Sequence, residues 1–403
     1  MDAAAAKSQH PKSRPRDRRA EIAKNANDLF STRGFHAVRM DDIAEASGIT
    51  ARALYRHYEN KQALLSHVVR EDQRRVIETL TALTEQAADE RNFDASLTAL
   101  TNAALDSRHL SLLWQREARH LDADDYRLVR SQTRWIAKQF EDLLIRSERA
   151  DIDESAADIR SWVVVSIVSG PGLYDTALSR QRLAQDLIAA SKRVITAPAA
   201  VAAPAAVAPA GDESGRTPIS RREQLIYAGA RAFREKGFGG VNIDDIGGQL
   251  GIVGPALYRY FDNKAEILVA AVNRLHEWLA LETARALRTP CPDEAVLAQL
   301  IQGYIHIALD ATDLLAVSLT ERLYLPAAAR ERFDRAQADY IAEWQRWTSA
   351  ARPDLSEARA VALVKTSKTI IDDCVRIPHL RHHQTLPAEL SRAALATLGV
   401  ENT

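Results

Sequence analysis

The sequence predicts an all-α protein made of two copies of one unit, and three observations predict it. Long runs rich in Ala, Leu, Glu, Arg and Gln favour helix. Apolar residues recur at helical spacing through most of the chain. A stretch near the N-terminus returns in the second half at a constant offset. The length of 403 residues points the same way, because one hydrophobic core seldom organises so long a chain.

The repeat needs no gap over its first segment. Gly34-Phe35 returns as Gly237-Phe238, and the same offset carries Asp41-Asp42-Ile43 onto Asp244-Asp245-Ile246. It carries Gly48-Ile49 onto Gly251-Ile252, Ala53-Leu54-Tyr55-Arg56 onto Ala256-Leu257-Tyr258-Arg259, and Asn60-Lys61 onto Asn263-Lys264. Between Thr196 and Pro218 the chain turns to Ala, Pro, Val and Gly, with Pro198, Pro204 and Pro209 spaced along it. That composition predicts an extended, semi-stiff linker.

Each copy opens with a helix. Ser220 and Glu223 have capping-box spacing, and Asp17 is the corresponding N-cap candidate in the first copy. Ile22, Ala26, Leu29 and Phe30 fall on one face, as Leu225, Gly229, Ala232 and Phe233 do later, and Gly34 and Gly237 end the two helices. A short helix over 41–46, a turn at Gly48 and a second helix from Thr50 to about Tyr58 then make a helix-turn-helix. Some 130 residues of amphipathic helical sequence follow in each half, with far less likeness between them.

In a helix starting near Ala51, Leu54 and Tyr58 share the core face, which turns Ala51, Arg52, Tyr55 and Arg56 outward. Side chains at the start of a recognition helix meet base edges, and Arg52 suits the O6 and N7 atoms of guanine. A net charge of −1 means that any DNA-binding charge is local. Lys7, Lys12, Arg14, Arg16, Arg18 and Arg19 crowd the N-terminus as a basic arm suited to the minor groove or as a solubilising tail, and Pro11 and Pro15 are expected to keep that stretch non-helical.

The run from Gly34-Phe35 through Asp42-Ile43-Ala44, Gly48 to Tyr58, Asn60-Lys61 and Leu64-Leu65 resembles the DNA-binding domain of TetR-family regulators, and the second copy repeats it. The resemblance implies two tandem TetR-like units, each an N-terminal three-helix domain followed by a helical ligand-binding and dimerisation domain. The expected boundaries are a basic arm at 1–16, helix-turn-helix domains at 17–65 and 220–268, helical domains at 66–195 and 269–403, and a linker at 196–219. Leu113-Trp114-Gln115-Arg116-Glu117-Ala118-Arg119 adds a likeness to tandem-domain mycobacterial members of the family, which implies lipid- or sterol-related effectors.

By the same resemblance the DNA-facing set is Arg39, Thr50, Ala51, Arg52, Tyr55, Arg56, His57 and Lys61. Its counterpart is Asn242, Val253, Gly254, Pro255, Tyr258, Arg259, Tyr260 and Lys264. Tyr55, His57 and Lys61, with Tyr258, Tyr260 and Lys264, take phosphates; such contacts give affinity, not sequence. Helices over 159–170, 180–195, 360–377 and 386–398 occupy the positions of the family's four-helix dimer interface, so the two halves are expected to pair inside one chain, with further homodimerisation open. Such a pair sets its heads about one DNA turn apart, roughly 34–36 Å.

Aromatic residues on the amphipathic segments are candidates to line a pocket for an apolar or amphiphilic effector: Trp114, Trp135 and Phe140, then Tyr304, Tyr324, Phe333, Tyr340 and Trp344. His379, His382 and His383 lie beside Pro378 and Arg381 and are expected to form a solvated loop. No nucleophile elbow, phosphate loop or paired zinc-ligand signature occurs, so neither an enzyme nor a cofactor is expected. The only cysteines, Cys291 and Cys374, suit a reducing compartment. No apolar run approaches the roughly 20 residues of a membrane span, so a cytoplasmic protein without a membrane partner is expected.

The copies differ where it matters. Thr50-Ala51-Arg52 becomes Val253-Gly254-Pro255, and Gly247 and Gly248 replace Ala44 and Glu45. The second module is therefore expected to be less rigid and to read a different half-site. The expected function is a repressor released by its effector at an asymmetric operator. The alternative is a ligand-binding or interaction protein whose second module no longer reads DNA.

Overall fold

The computed structural model describes residues 15–87, 91–107, 110–198, 218–252 and 254–400. The all-helical expectation holds, since every regular element among them is helical. The first half runs α1 (Pro15–Arg33), α2 (Met40–Ala46), α3 (Ala51–Leu54), α4 (Lys61–Thr84), α5 (Phe93–Asp106), α6 (Leu110–Glu117), α7 (Ala123–Phe140), α8 (Arg146–Glu148), α9 (Glu154–Ser169) and α10 (Arg180–Thr196). The second runs α11 (Arg221–Lys236), α12 (Ile243–Gly248), α13 (Lys264–Arg288), α14 (Asp293–Asp310), α15 (Thr312–Thr320), α16 (Ala327–Ala351), α17 (Glu357–Cys374) and α18 (Leu386–Leu398). No single described helix is long and apolar enough to cross a membrane.

The caps explain most of the boundaries. Side-chain oxygens of Asn60, Asn92, Asp153 and Ser179 each accept a backbone N–H in the first turn that follows them. Ser220 caps α11 as expected, accepting from the Glu223 N–H at 3.4 Å. Asp17 does not cap α1, because the helix already begins at Pro15. Proline is favoured in a first turn, where its missing N–H would be unpaired anyway and its fixed φ already suits the helix. Residues 15 and 16 are therefore helix, while the remainder of the expected arm lies outside the described residues, as do 199–217 of the linker. Gly34 and Gly237, at φ 81° and 74°, sit where a side chain would be strained.

The two halves share a core. α9 and α10 pack against α17 and α18 as four helices. Ile159, Val163, Val164 and Ile167 on one side, with Val364, Ile370, Ile371, Leu390 and Ala394 on the other, are fully buried in one apolar cluster. Each Val, Ile or Leu side chain contributes about 1.5–3 kcal/mol on burial, so the seam supplies the attraction. Two ion pairs cross it in opposite senses, Arg160 Nε to Glu389 at 3.1 Å and Arg359 Nη2 to Asp186 at 2.6 Å. The Arg160–Glu389 pair is fully buried; such a pair adds little net stability, but an arrangement that separated its partners would leave a buried charge alone, at a cost of about 3–5 kcal/mol.

Candidate nucleic-acid interface and adjoining cavity

In each head the helix-turn-helix is held by the same hydrogen bonds. The Arg39 N–H donates to Asp42 Oδ2 at 2.7 Å, and the Asn242 N–H to Asp245 Oδ2 at 3.1 Å, so the residue before each short helix is anchored. The turn closes through Ile49 N–H to the Ala44 carbonyl at 3.0 Å and Ile252 N–H to the Gly247 carbonyl at 2.9 Å. Arg39, Asn242 and Thr50 are exposed.

The recognition helix is shorter than the sequence suggested. Thr50 caps it through the Ala53 N–H at 3.2 Å, but α3 ends at Leu54. From there Arg56 and His57 reach back three residues, to the Ala53 and Leu54 carbonyls, which tightens the turn before Tyr58. Leu54 and Tyr58 are buried, whereas Arg52, Tyr55 and Arg56 are exposed and Ala51 and His57 half-buried. In the second head the same stretch is a 3₁₀ helix, Gly254–Arg259. Pro255 has no N–H to close an α-turn and Gly254 is a poor helix former, which accounts for the change. Tyr258, Arg259 and Tyr260 are exposed there; Val253 and the side chain of Pro255 lie outside the described residues.

Lys61 and Lys264 have work that the sequence did not reveal. Lys61 Nζ donates to the Phe35 and Val38 carbonyls at 2.7 and 2.8 Å and lies 4.2 Å from the centre of the Phe35 ring. Lys264 repeats this on Phe238 and Val241 at 2.7 and 2.9 Å, 4.4 Å from the Phe238 ring. Burial lowers both ammonium pKa values. Two of three donors thus tie the N-terminus of α4 or α13 to the loop after the first helix, leaving one for an outside acceptor.

The segment Leu113–Arg119 is the joint between heads and body. Glu117 accepts the Phe35 N–H at 3.3 Å and pairs with Arg116 Nε at 2.6 Å, while Arg116 Nη2 donates to the Phe30 and Ser31 carbonyls at 2.5 and 2.8 Å. In the second half Glu321 takes the role of Glu117, accepting the Phe238 N–H at 3.0 Å. Thr320 stands where Arg116 would be, so the cation comes from the other half: Arg119 Nη2 lies 2.5 Å from Glu321 Oε1. The heads also touch directly, because a Cβ on Gly239 would come within 2.6 Å of His36. His36 in turn meets His120 edge-on at 4.5 Å, and burial first, then the Arg119 charge, lowers the His120 pKa to about 3.

Gly247 is not a softening residue. A Cβ there would sit 2.5 Å from the Ile252 carbonyl oxygen, so the turn as wound in this head leaves no room for a side chain, although Ala44 holds the matching place in the first, whereas Gly248 has open space around it.

A cavity of about 380 Å³ lies beside this joint, walled mostly by the first half and closed on one side by second-half residues such as Thr312, Thr320, Arg376 and Arg381. Of the aromatic candidates in the first half, Trp114 and Phe140 line it. Trp135 does not; it is 37% exposed on the surface. The aromatics expected to line a pocket in the second half are packed instead. Tyr304, Tyr340 and Trp344 meet one another at 5.6–5.9 Å, Tyr324 stacks on Phe238 at 5.2 Å and Phe333 lies 4.9 Å from His276. The histidine group is only partly solvated. His379 and His383 approach Asp158 Oδ2 of the first half at 3.3 and 3.0 Å, and only His382 is exposed.

Residues 22–68 and 225–271 match the family profile described as bacterial regulatory proteins of the tetR family. The HTH-type transcriptional activator FasR of Mycolicibacterium smegmatis is 29% identical over 84 residues, 21% of this chain and 38% of that protein. The HTH-type transcriptional repressor KstR2 of the same organism is 36% identical over 59 residues, 15% of this chain and 29% of that protein. Each match spans well under half of the curated relative's length. Among solved structures, the TetR family regulator PfmR from Thermus thermophilus is 17% identical, with a TM-score of 0.39 over 46% of this chain and 100% of its own. The profile is matched once in each half, over the two helix-turn-helix heads, so the chain carries two DNA-binding domains of the tetR family in tandem.

Proposed function

We propose that the chain is a DNA-binding transcriptional regulator that presents both heads of an internal pseudo-dimer to one operator. The observation that carries this reading is the joining of the two heads, through the four-helix seam and the Arg119–Glu321 tie across the halves. Two heads held at fixed separation suit two successive major-groove sites on one face of DNA. The units are taken as 17–65 with 66–195 and 220–268 with 269–403, joined by 196–219.

In the first head Arg52, with Thr50 and Ala51, faces base edges, and Arg39, Tyr55, Arg56, His57 and the remaining donor of Lys61 take phosphates. In the second, Asn242, Tyr258, Arg259, Tyr260 and Lys264 take phosphates, while Val253, Gly254 and Pro255 offer only apolar contact, suited to thymine methyls. The operator is then not a clean palindrome, and the first half dominates its reading. The first-half cavity holds a small apolar or amphiphilic effector that releases the protein from DNA, which makes it a repressor, as the relative KstR2 is named to be.

A mobility-shift assay on the DNA upstream of the protein's own gene, with a base-substitution series, tests this. Arg52→Ala should change sequence preference, while Tyr55→Ala should weaken all sequences alike. No shift on any upstream DNA overturns the reading. Protection of a single half-site favours instead a second head that no longer reads DNA, a reading that its 3₁₀ recognition segment supports.

A further inference from the structure

We propose that the chain takes up one ligand and not two: an anionic amphiphile whose apolar body fills the first-half cavity and whose acidic group meets Arg376 and Arg381 of the second half. This rests on the regulator reading for its biological use, while the binding itself is read on DNA-free protein.

The asymmetry is written in matched positions. α5 and α14 end 204 residues apart, at Asp106 and Asp310, and α7 and α16 begin 204 apart, at Ala123 and Ala327. Leu100, Ile136 and Phe140 therefore correspond to Tyr304, Tyr340 and Trp344. Each replacement is larger, and the three rings occupy the space that stays open in the first half. Tyr304 is anchored there by a hydrogen bond from its hydroxyl to Asp372 at 2.5 Å.

The backbone differs at the same place. Phe140 leads into a π-helical turn, Glu141–Ile145, whereas α16 runs unbroken to Ala351. From the cap residues Arg149 and Arg352 onward the offset is 203, so the first half holds one extra residue, which the π turn absorbs. Such single-turn insertions recur at functional sites.

The lining fixes the ligand's chemistry. Val76, Ala104, Ile136, Phe140, Val165 and Val168 offer an apolar interior. Four arginines also border the cavity, but Arg119 is committed to Glu321, and Arg234 to Asp313 at 2.7 Å. Arg376 pairs through Nη2 with Gln115 at 2.9 Å and Asp373 at 3.1 Å and donates Nε to the Asp372 carbonyl at 2.7 Å, so among the described residues only its Nη1 is left for a ligand. Arg381 contacts the Thr312 hydroxyl at 3.4 Å, a weak neutral partner for a full charge. Asp373 is the one carboxylate in the wall, and its charge is already met by Gln115 Nε2 at 2.7 Å, the Ser166 hydroxyl at 2.9 Å and Arg376 at 3.1 Å, which offsets its repulsion of an arriving anion. Arg234 and Pro378 at the rim are exposed, which places the charged end of the ligand toward water.

A buried acceptor points to a ligand as well. Gln73 is 2% exposed, and its Nε2 donates to the Thr133 hydroxyl at 2.9 Å, but its Oε1 has no partner. It lies in the cavity wall, where a hydroxyl or amide on the ligand's body would satisfy it. The corresponding residue in the second half, His276, meets Gln337 at 3.2 Å.

Native mass spectrometry and calorimetry on the full chain test the proposal, with dodecanoate and dodecyl phosphate as anionic probes and dodecan-1-ol as the uncharged one. One probe molecule per chain is expected, with both anions bound at least tenfold more tightly than the alcohol. Arg381→Gln should remove most of that advantage and leave alcohol binding unchanged, and Arg381→Lys should restore part of it. Ala104→Phe should abolish binding with the circular dichroism of the wild type. Two molecules per chain, equal affinity for alcohol and anion, or full dodecanoate affinity in Arg381→Gln overturns it. Tight dodecanoate binding without any change in DNA affinity leaves the site intact and counts against the regulator reading alone.

Discussion

Replacing Arg119 with leucine should cost more than any other single change at the joint between the heads. Glu321 is fully buried and accepts three donors: Arg119 at 2.5 Å, the Phe238 N–H at 3.0 Å and the Thr320 hydroxyl at 2.8 Å. Arg119→Leu leaves that carboxylate in place with two neutral donors. Removing one partner of a buried pair costs about 3–5 kcal/mol. In a half of this size each kcal/mol shifts the melting midpoint by about 2–4 °C, so a fall of roughly 6–20 °C is expected. Glu321→Gln removes the charge but keeps an acceptor for Phe238, so the double variant should be less damaged than the two singles summed, by about 1–3 kcal/mol. Differential scanning calorimetry on the four proteins measures the cycle. Strictly additive losses, or a loss below about 0.5 kcal/mol for Arg119→Leu, would refute a role for this pair in holding the second head.

Lys61→Met and Lys264→Met should each lower stability by about 1–3 kcal/mol in urea titrations, because two loop carbonyls lose their partner; unchanged stability with weakened DNA binding would make them phosphate ligands only. Gly247→Ala should destabilise by about 1–3 kcal/mol through the clash with the Ile252 carbonyl, while Gly248→Ala should be neutral or stabilise by up to about 1 kcal/mol; equal effects would contradict the tight turn. Acid should weaken the fold through His120 and His276, whose pKa values burial lowers to about 3 and about 4. Below the unfolded histidine value of about 6.5 the unfolded chain takes up protons that the folded chain refuses, so this contribution is present at neutral pH and declines as pH falls. Asp72, pushed up to about 6 by burial, acts the other way between about pH 6 and 4, because there the folded chain holds a proton that the unfolded one releases. Melting midpoints against pH should therefore flatten for His276→Asn and steepen for Asp72→Asn.

The heads were legible because their signals are local. Caps such as Ser220 and Thr50, the buried spacing of Leu54 and Tyr58, and the repeated Gly-Phe pairs are all set by neighbours a few residues away. Contacts across the halves were not legible, since nothing near Arg119 or His383 in the chain announces Glu321 or Asp158. Aromatic residues misled for a different reason: helical spacing places Tyr304 and Trp344 inward, yet whether an inward ring lines a space or fills it depends on its neighbours' volumes. Gly247 looked like a weak helix residue because a close backbone approach leaves no local trace. One missed signal was in the sequence itself, since the offset falls from 204 to 203 between Phe140 and Arg149, where the π turn sits.

The claim that one polypeptide supplies both heads is tested most directly by the mass of its DNA complex. Size-exclusion chromatography with light scattering, on a duplex carrying the protected upstream site, should give the duplex plus a single chain of 44.6 kDa, with two protected half-sites of unequal sequence. Two chains on the minimal duplex, each using one head, would contradict it.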